Sequence, residues 1–293
     1  VTMLDENFLK NLKHQCTRDL YWLLASHSPL NPNVAHFRLF PEEILLEMVE
    51  VHKTFLVELD DYPREFENYL TEKPTRRLGI YAERLMAYFF KHSPYINLIT
   101  HSFQVIRSGE TLGEIDFIIE WKGELYHIEL AVKYYLGIDE LNEFKNWIGP
   151  SGNDNLALKL NKALNHQLML AKENEVIKLV NGRSISSYLF LKGKFYANVS
   201  HEELPIWMNT RASHGNYVRL CDAQELFDRS VKSHLLRPNW MSDLIGVQQK
   251  NQHAIELKYL EEQIIQYGGV HLLQKETPTS TNFIVLDSWP EVT

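Results

Sequence analysis

Apolar residues in the first 70 positions recur at helical spacing. Phe8, Leu9, Leu12, Leu20, Trp22, Leu23 and Leu24 fall three or four apart, with breaks at Ser28-Pro29 and Asn31-Pro32-Asn33. A second helix is expected after Pro41, a favoured first-turn residue, with Ile44, Leu45, Met48, Val51, Phe55 and Leu56 on its inner face. Residues 1–70 therefore read as a helical region. The pattern sharpens over 75–91, where Leu78, Ala82, Leu85, Met86, Phe89 and Phe90 form an inward stripe that Ser93-Pro94 ends.

Then the period changes from helical to extended. Segments 96–106, 114–120 and 124–135 read as extended, the last two rich in Ile, Phe, Val and Tyr and joined at Lys122-Gly123 by a two-residue hairpin turn. A Gly149-Pro150-Ser151-Gly152 loop precedes a helix expected over 154–172, with Leu156, Leu160, Ala163, Leu164, Leu168 and Leu170 buried. Ser187 to Leu191 reads as a further buried strand. The order helix, three strands, helix, strand predicts an α/β (α+β) core, a mixed sheet flanked by helices, over 71–200. Residues 201–293 are expected to add a mixed α/β extension, with helices near 222–230 and 249–267 and a closing strand at Phe283-Ile284-Val285-Leu286.

The 293 residues are 44% hydrophobic and 23% charged, ordinary for a globular chain with room for a substantial core. Two cysteines exclude a disulfide framework or a four-cysteine zinc site. No apolar run reaches the ~20 residues of a membrane helix, and the opening residues lack a secretory leader pattern, so a cytoplasmic protein with no membrane partner is expected. A net charge of −8 argues against a general polyanion binder. Any nucleic-acid role must rest on a local site.

The hairpin supplies one. A Lys122-Gly123 turn pairs 121 with 124, 118 with 127 and 116 with 129. Asp116 and Glu129 then stand opposite one another, with Cβ atoms roughly 4.5–5.5 Å apart. Strand alternation places Glu114, Asp116, His127, Glu129, Ala131 and Lys133 on one face, and Ile115, Phe117, Ile119, Ile128, Leu130 and Val132 on the other. Facing carboxylates repel, and a divalent cation such as Mg²⁺, held through one or two carboxylates plus substrate phosphates, relieves that repulsion. Lys133 would stabilise charge on a reacting phosphate. The blander alternative is an exposed acidic strand pair neutralised by surface lysines.

Gly113-Glu114-Ile115-Asp116-Phe117-Ile118, Glu129 and the preceding Gly79-Ile80-Tyr81-Ala82-Glu83 resemble the PD-(D/E)XK nuclease-like superfamily. The resemblance implies an αβββαβ core and a site with Glu83, Asp116 and Glu129 as metal ligands for Mg²⁺ or Mn²⁺. It also implies Lys133 and Gln167 as catalytic auxiliaries beside Asp116 and Glu129. The activity implied is phosphodiester cleavage, with DNA ahead of RNA as partner. Where that superfamily places its lysine, two residues after the second acid, this chain has Ala131. Lys133 keeps the face but moves the Cα separation from about 6.6 to roughly 13 Å at ~3.3 Å per residue. A degenerate, non-catalytic nuclease fold that binds nucleic acid or a protein partner is the alternative, and a metal-independent carboxylate-pair glycosidase a remoter one. Within the superfamily, Arg18-Asp19-Leu20-Tyr21-Trp22, the run from His127 to Leu136 and the stretch from Gly149-Pro150 to Gln167-Leu168 are similar to an uncharacterised bacterial family, domain of unknown function 1853.

Weaker candidates surround these. Arg76, Arg77 and Arg84, with Lys159 and Lys162, would form a phosphate track if they are not simply solvated faces, and Tyr134 and Tyr135 would stack on bases if they are not core. His127 and Glu114 share the carboxylate face. No Walker loop, Gly-x-Gly-x-x-Gly, Gly-x-Ser-x-Gly or His-Glu-x-x-His occurs.

Overall fold

In the computed structural model the described residues are 3–200, 203–223, 231–235, 241, 257–267, 269–274 and 281–290. Four helices come first, α1 (Glu6–Asn11), α2 (Gln15–Ala25), α3 (Glu42–Asp61) and α4 (Arg64–Thr71), followed by α5 (Leu78–His92). Strands β1 (Ile96–Arg107), β2 (Glu110–Trp121) and β3 (Glu124–Gly137) come next, with β4 (Trp147–Ile148) paired to the end of β3. Helix α6 (Leu156–Asn165), a 3₁₀ turn over Gln167–Lys172 and α7 (Asn174–Leu179) lead into β5 (Ile185–Tyr196). The remainder holds β6 (His214–Arg219), β7 (Val231–Leu235), α8 (Leu257–Tyr267), β8 (Val270–Gln274) and β9 (Thr281–Val285). No helix among the described residues is long and apolar enough to cross a membrane.

The sheet runs β1-β2-β3-β5-β6-β9-β8-β7. The pairs β1·β2 and β2·β3 are antiparallel, whereas β3·β5, β5·β6 and β6·β9 are parallel. This is the mixed α/β arrangement that the order of periodicities predicts. The α6–α7 segment supplies the crossover that a parallel β3·β5 pair requires. The closing strand at 283–286 appears as β9, parallel to β6. The expected helix over 249–267 is observed from Leu257, its earlier part and residues 224–230 lying outside the described residues.

Two layers cover the sheet. On one side α5 presents its predicted stripe, all of it buried, against Phe117, Ile119, Ile128 and Val132, with α2 and α3 packed around it. Asp19 of α2 accepts a hydrogen bond from the Tyr81 hydroxyl of α5 at 3.1 Å, and Arg18 donates to the Leu12 and Lys13 carbonyls at 2.9 and 2.8 Å. The Arg-Asp pair of the opening signature thus fastens helices together. Helix α3 departs from expectation at Val51, which faces solvent, while Val49 and His52 take the buried positions. The α6–α7 segment covers the other side, meeting Ala131, Leu189 and Leu191, and further out Ile118 and Leu125. Ile115 joins this second layer with Val105, Leu170 and Val176, because beyond Phe117 strand β2 leaves its ladder with β3 and follows β1.

The helix expected over 154–172 is broken. It stops at Asn165, His166 adopts φ −128°, ψ −66°, and the chain continues as a 3₁₀ turn. Gln167 therefore opens a turn rather than riding on the helix. Strand β5 extends well past Leu191, and within it Lys192 and Lys194 are both 2% exposed.

Candidate metal centre

The hairpin register is the one that the turn predicts. Lys122 (φ 51°) and Gly123 (φ 84°) are both left-handed, as a two-residue type I′ turn demands, and Trp121–Glu124 through Phe117–Ile128 pair in sequence. One step further along stand Asp116 and Glu129. There the ladder ends: the Leu130 N–H that would bond to β2 backbone donates instead to Asp116 Oδ2 at 2.8 Å. A side-chain carboxylate replaces a main-chain acceptor, and the acidic groups share the face turned toward α6 and the 3₁₀ turn.

That layer completes the cluster. Asn155 caps α6, its side chain accepting from Leu158 N at 2.9 Å, which is worth about 1 kcal/mol. Buried Leu156, Leu160 and Ala163 fix the helix on the sheet. Lys159, on the same helix, reaches back so that its Nζ lies 3.0 Å from Glu129 Oε1, with the two side chains only 13% and 6% exposed. Gln167 Nε2 donates to the other oxygen, Oε2, at 3.3 Å, and to the Glu114 carbonyl at 3.2 Å. Glu114 thus meets the site through its backbone. At Gly113 a Cβ would stand 2.8 Å from Leu170 Cδ1 of the 3₁₀ turn, so the glycine lets that side chain pack closely without shifting.

Burial, and after it the charge of Glu129, hold the Asp116 carboxyl well above the ordinary carboxylate range, while the Leu130 N–H and the Lys159 ammonium act in the opposite sense. Glu83, on α5, adds to this negative field. Its own carboxylate accepts from His101 Nε2 and Ser102 Oγ, both at 2.9 Å, and the His101 bond outweighs burial to bring its pKa below the usual value. Glu83 is thus tied to β1, and its effect on Asp116 is one of charge.

Lys133 is elsewhere. Its ammonium pairs with Asp154, the residue before the α6 cap, and the Tyr135 hydroxyl donates to the same carboxylate at 3.1 Å. Two residues per pleat carry Lys133 along β3 past Glu129, and Asp154 arrives there with the loop entering α6. The ammonium at the carboxylates belongs to Lys159, a residue that sequence reasoning assigned to a phosphate track. Its spacing from Leu156 and Leu160 marks its helix, but nothing in the spacing marks its target. Arg84 is likewise spent on structure, donating to the Lys73 carbonyl at 2.6 Å and to that of Tyr69, whereas Arg76, Arg77 and Lys162 are exposed. Tyr134 and Tyr135 are both buried, Tyr134 stacking on Tyr196, so neither offers a face to a base. His127 is buried with Nδ1 3.2 Å from Ser187 Oγ; burial, and secondarily Arg38, push its pKa down to about 4, and it serves the core.

The donor set suits a hard divalent cation: two carboxylates on adjacent strands, one of them destabilised as an anion by the other. Among the described residues no three His, Cys, Asp or Glu side chains converge as a ligand set. Asp116 and Glu129 would supply two oxygens and water the other positions, a common manner of holding Mg²⁺. No curated protein and no solved structure matches the chain. A family model described as "Domain of unknown function (DUF1853)" matches residues 18–282, and the chain belongs to that family.

Proposed function

We propose that this protein is a metal-dependent phosphodiesterase of the PD-(D/E)XK nuclease-like kind, cleaving nucleic acid, DNA ahead of RNA. The observation that carries this reading is the convergence of Asp116, Glu129, Lys159 and Gln167 on one face of the β2–β3 hairpin. The order α5-β1-β2-β3-α6-β5, with β3 parallel to β5, supports it. Asp116 and Glu129 would hold Mg²⁺ or Mn²⁺, which supplies Lewis-acid polarisation of a phosphoryl oxygen and acidification of attacking water. Lys159 brings a positive charge to Glu129, in a partly desolvated position where such charge would count for more against a substrate phosphate. Gln167 fixes the carboxylate of Glu129 and ties it to β2 through the Glu114 carbonyl. Glu83 acts on Asp116 by charge from α5.

Incubating the full chain with double- and single-stranded DNA and with RNA, in Mg²⁺ or Mn²⁺, tests the assignment. Asp116→Asn retains an acceptor for Leu130 N–H yet removes the anion, and is expected to lower cleavage by about 10²-fold or more with an unchanged circular dichroism spectrum. Equal cleavage by the variant would exclude the site.

A second reading is favoured by one observation: both oxygens of Glu129 are already engaged within the chain. On this reading the fold is a degenerate nuclease that binds nucleic acid or a protein partner without turnover. It requires that no substrate be cleaved with either metal and that nucleic-acid binding survive Asp116→Asn.

A further inference from the structure

The Lys133 ammonium pairs with an Asp154 carboxylate that the Tyr135 hydroxyl also holds, each side chain a third exposed, whereas the Lys159 ammonium pairs with Glu129 in a far more buried position. The main chain of α6 is anchored by the Asn155 cap and three buried apolar residues, so the Cα of Lys159 cannot drift. Its four-carbon stem, however, retains rotamers that would carry the ammonium away from Glu129 without moving the helix. Nζ lies 3.0 Å from Glu129 Oε1, on the carboxylate that stands opposite Asp116 in the hairpin, where a cation offsets the repulsion between two facing acids.

We propose that Lys159 is an internal counter-ion that competes with divalent metal: metal enters by displacing the ammonium from Glu129, and the displaced ammonium is then free to face a substrate phosphate. This rests on the metal-site reading above and assigns a sequence of occupancy to it. The physical reason is electrostatic exclusion. An ammonium and a divalent ion at the same carboxylate repel strongly where the side chains are only 13% and 6% exposed, because charges so little solvated are weakly screened. The carboxylates stay satisfied in either state, so the site need not collapse when metal is absent. Gln167 remains on Oε2 in both, keeping Glu129 oriented while Oε1 changes partner.

The test uses Mn²⁺ alone as the probe, titrated into the full chain and followed by electron paramagnetic resonance of free Mn²⁺. Lys159→Met, which keeps the stem and removes the charge, is expected to bind Mn²⁺ about tenfold or more tightly than the parent. Lys159→Arg is expected to restore weak binding, and Lys133→Met, which deletes the same charge from the neighbouring ion pair, to bind as the parent does. Asp116→Asn in the Lys159→Met background should lose the gain. If Lys159→Met binds no better than the parent while Asp116→Asn abolishes binding, the metal site stands and the counter-ion role is wrong. If neither parent nor Lys159→Met binds Mn²⁺, both fall together. A Lys133→Met gain equal to that of Lys159→Met would reduce the effect to net charge and likewise overturn the assignment.

Discussion

Two regions of this protein bury lysine, and they do so in opposite ways. At the hairpin, the Lys159 ammonium lies 3.0 Å from Glu129 Oε1 in a cleft that also holds Asp116, so the cation sits among carboxylates. On β5, Lys192 and Lys194 go deeper, into the layer between the sheet and the N-terminal helices. Burial there pushes both pKa values down to about 7. Lys192 donates to the Ser26 carbonyl at the end of α2 and lies 4.8 Å over the Phe190 ring; the Glu42 carboxylate pulls weakly the other way. One region pairs its lysine with a carboxylate, and the other holds amines that burial makes easier to deprotonate. A buried cation beside anions is a poised electrostatic device, whereas one beside carbonyls and rings is a structural donor.

Three lysine-to-methionine substitutions put that contrast to experiment. The largest effect is expected from Lys159→Met, which leaves Glu129 and Asp116 facing each other without a cation and should cost about 2–3 kcal/mol in urea unfolding at pH 7. Millimolar Mn²⁺ should return most of the loss. A variant as stable as the parent without metal would show that the pair contributes nothing.

Lys192→Met should move stability the other way. The folded-state pKa of about 7 lies below the ordinary lysine value of 10.5, so between those limits the unfolded chain holds a proton that the folded chain has released. Parent stability therefore gains up to about 1.4 kcal/mol per pH unit from this group as pH rises from 7 towards 10.5, and nothing from it below that window. The methionine variant, lacking the group, is expected to be about 1 kcal/mol more stable at pH 7, an advantage that this slope erases within about one pH unit and reverses by pH 10. Chemical denaturation of both proteins at pH 6, 7, 8, 9 and 10 reads the slope directly, and parallel curves would contradict the buried-amine account.

The smallest change belongs to Lys133→Met. Its ion pair with Asp154 is a third exposed on each side, so the expected loss is within about 1 kcal/mol. A loss as large as that expected of Lys159→Met would overturn the contrast between the two ion pairs.

The carboxylate pair was readable because everything that creates it is local. A two-residue turn sets the register, a period of two sets the face, and Asp116 and Glu129 lie only a few pleats from Gly123. The stripe of α5 was readable for the same reason, being one helix facing one sheet. The limits are equally physical. A continuous apolar period over 154–172 does not register the single residue, His166, at which the helix gives way to a tighter turn, although that break aims Gln167 at Glu129. Strand β5 was foreseen only to Leu191 because its next alternate residues are lysines, which propensity reads as exposed.

Local pattern, then, settled which segments are helix or strand, where the hairpin turns, and that two acids meet on one of its faces, since short-range sterics and alternation suffice for each. Which cation serves those acids was settled by docking. Along the chain the alternation of β3 favours Lys133, which shares the face of Glu129, and marks Lys159 only as one of a group of basic residues. Only the seating of α6 against β3 and β5, fixed by Leu156, Leu160 and Ala163 against Ala131, Leu189 and Leu191, delivers Asp154 to one lysine and Glu129 to the other.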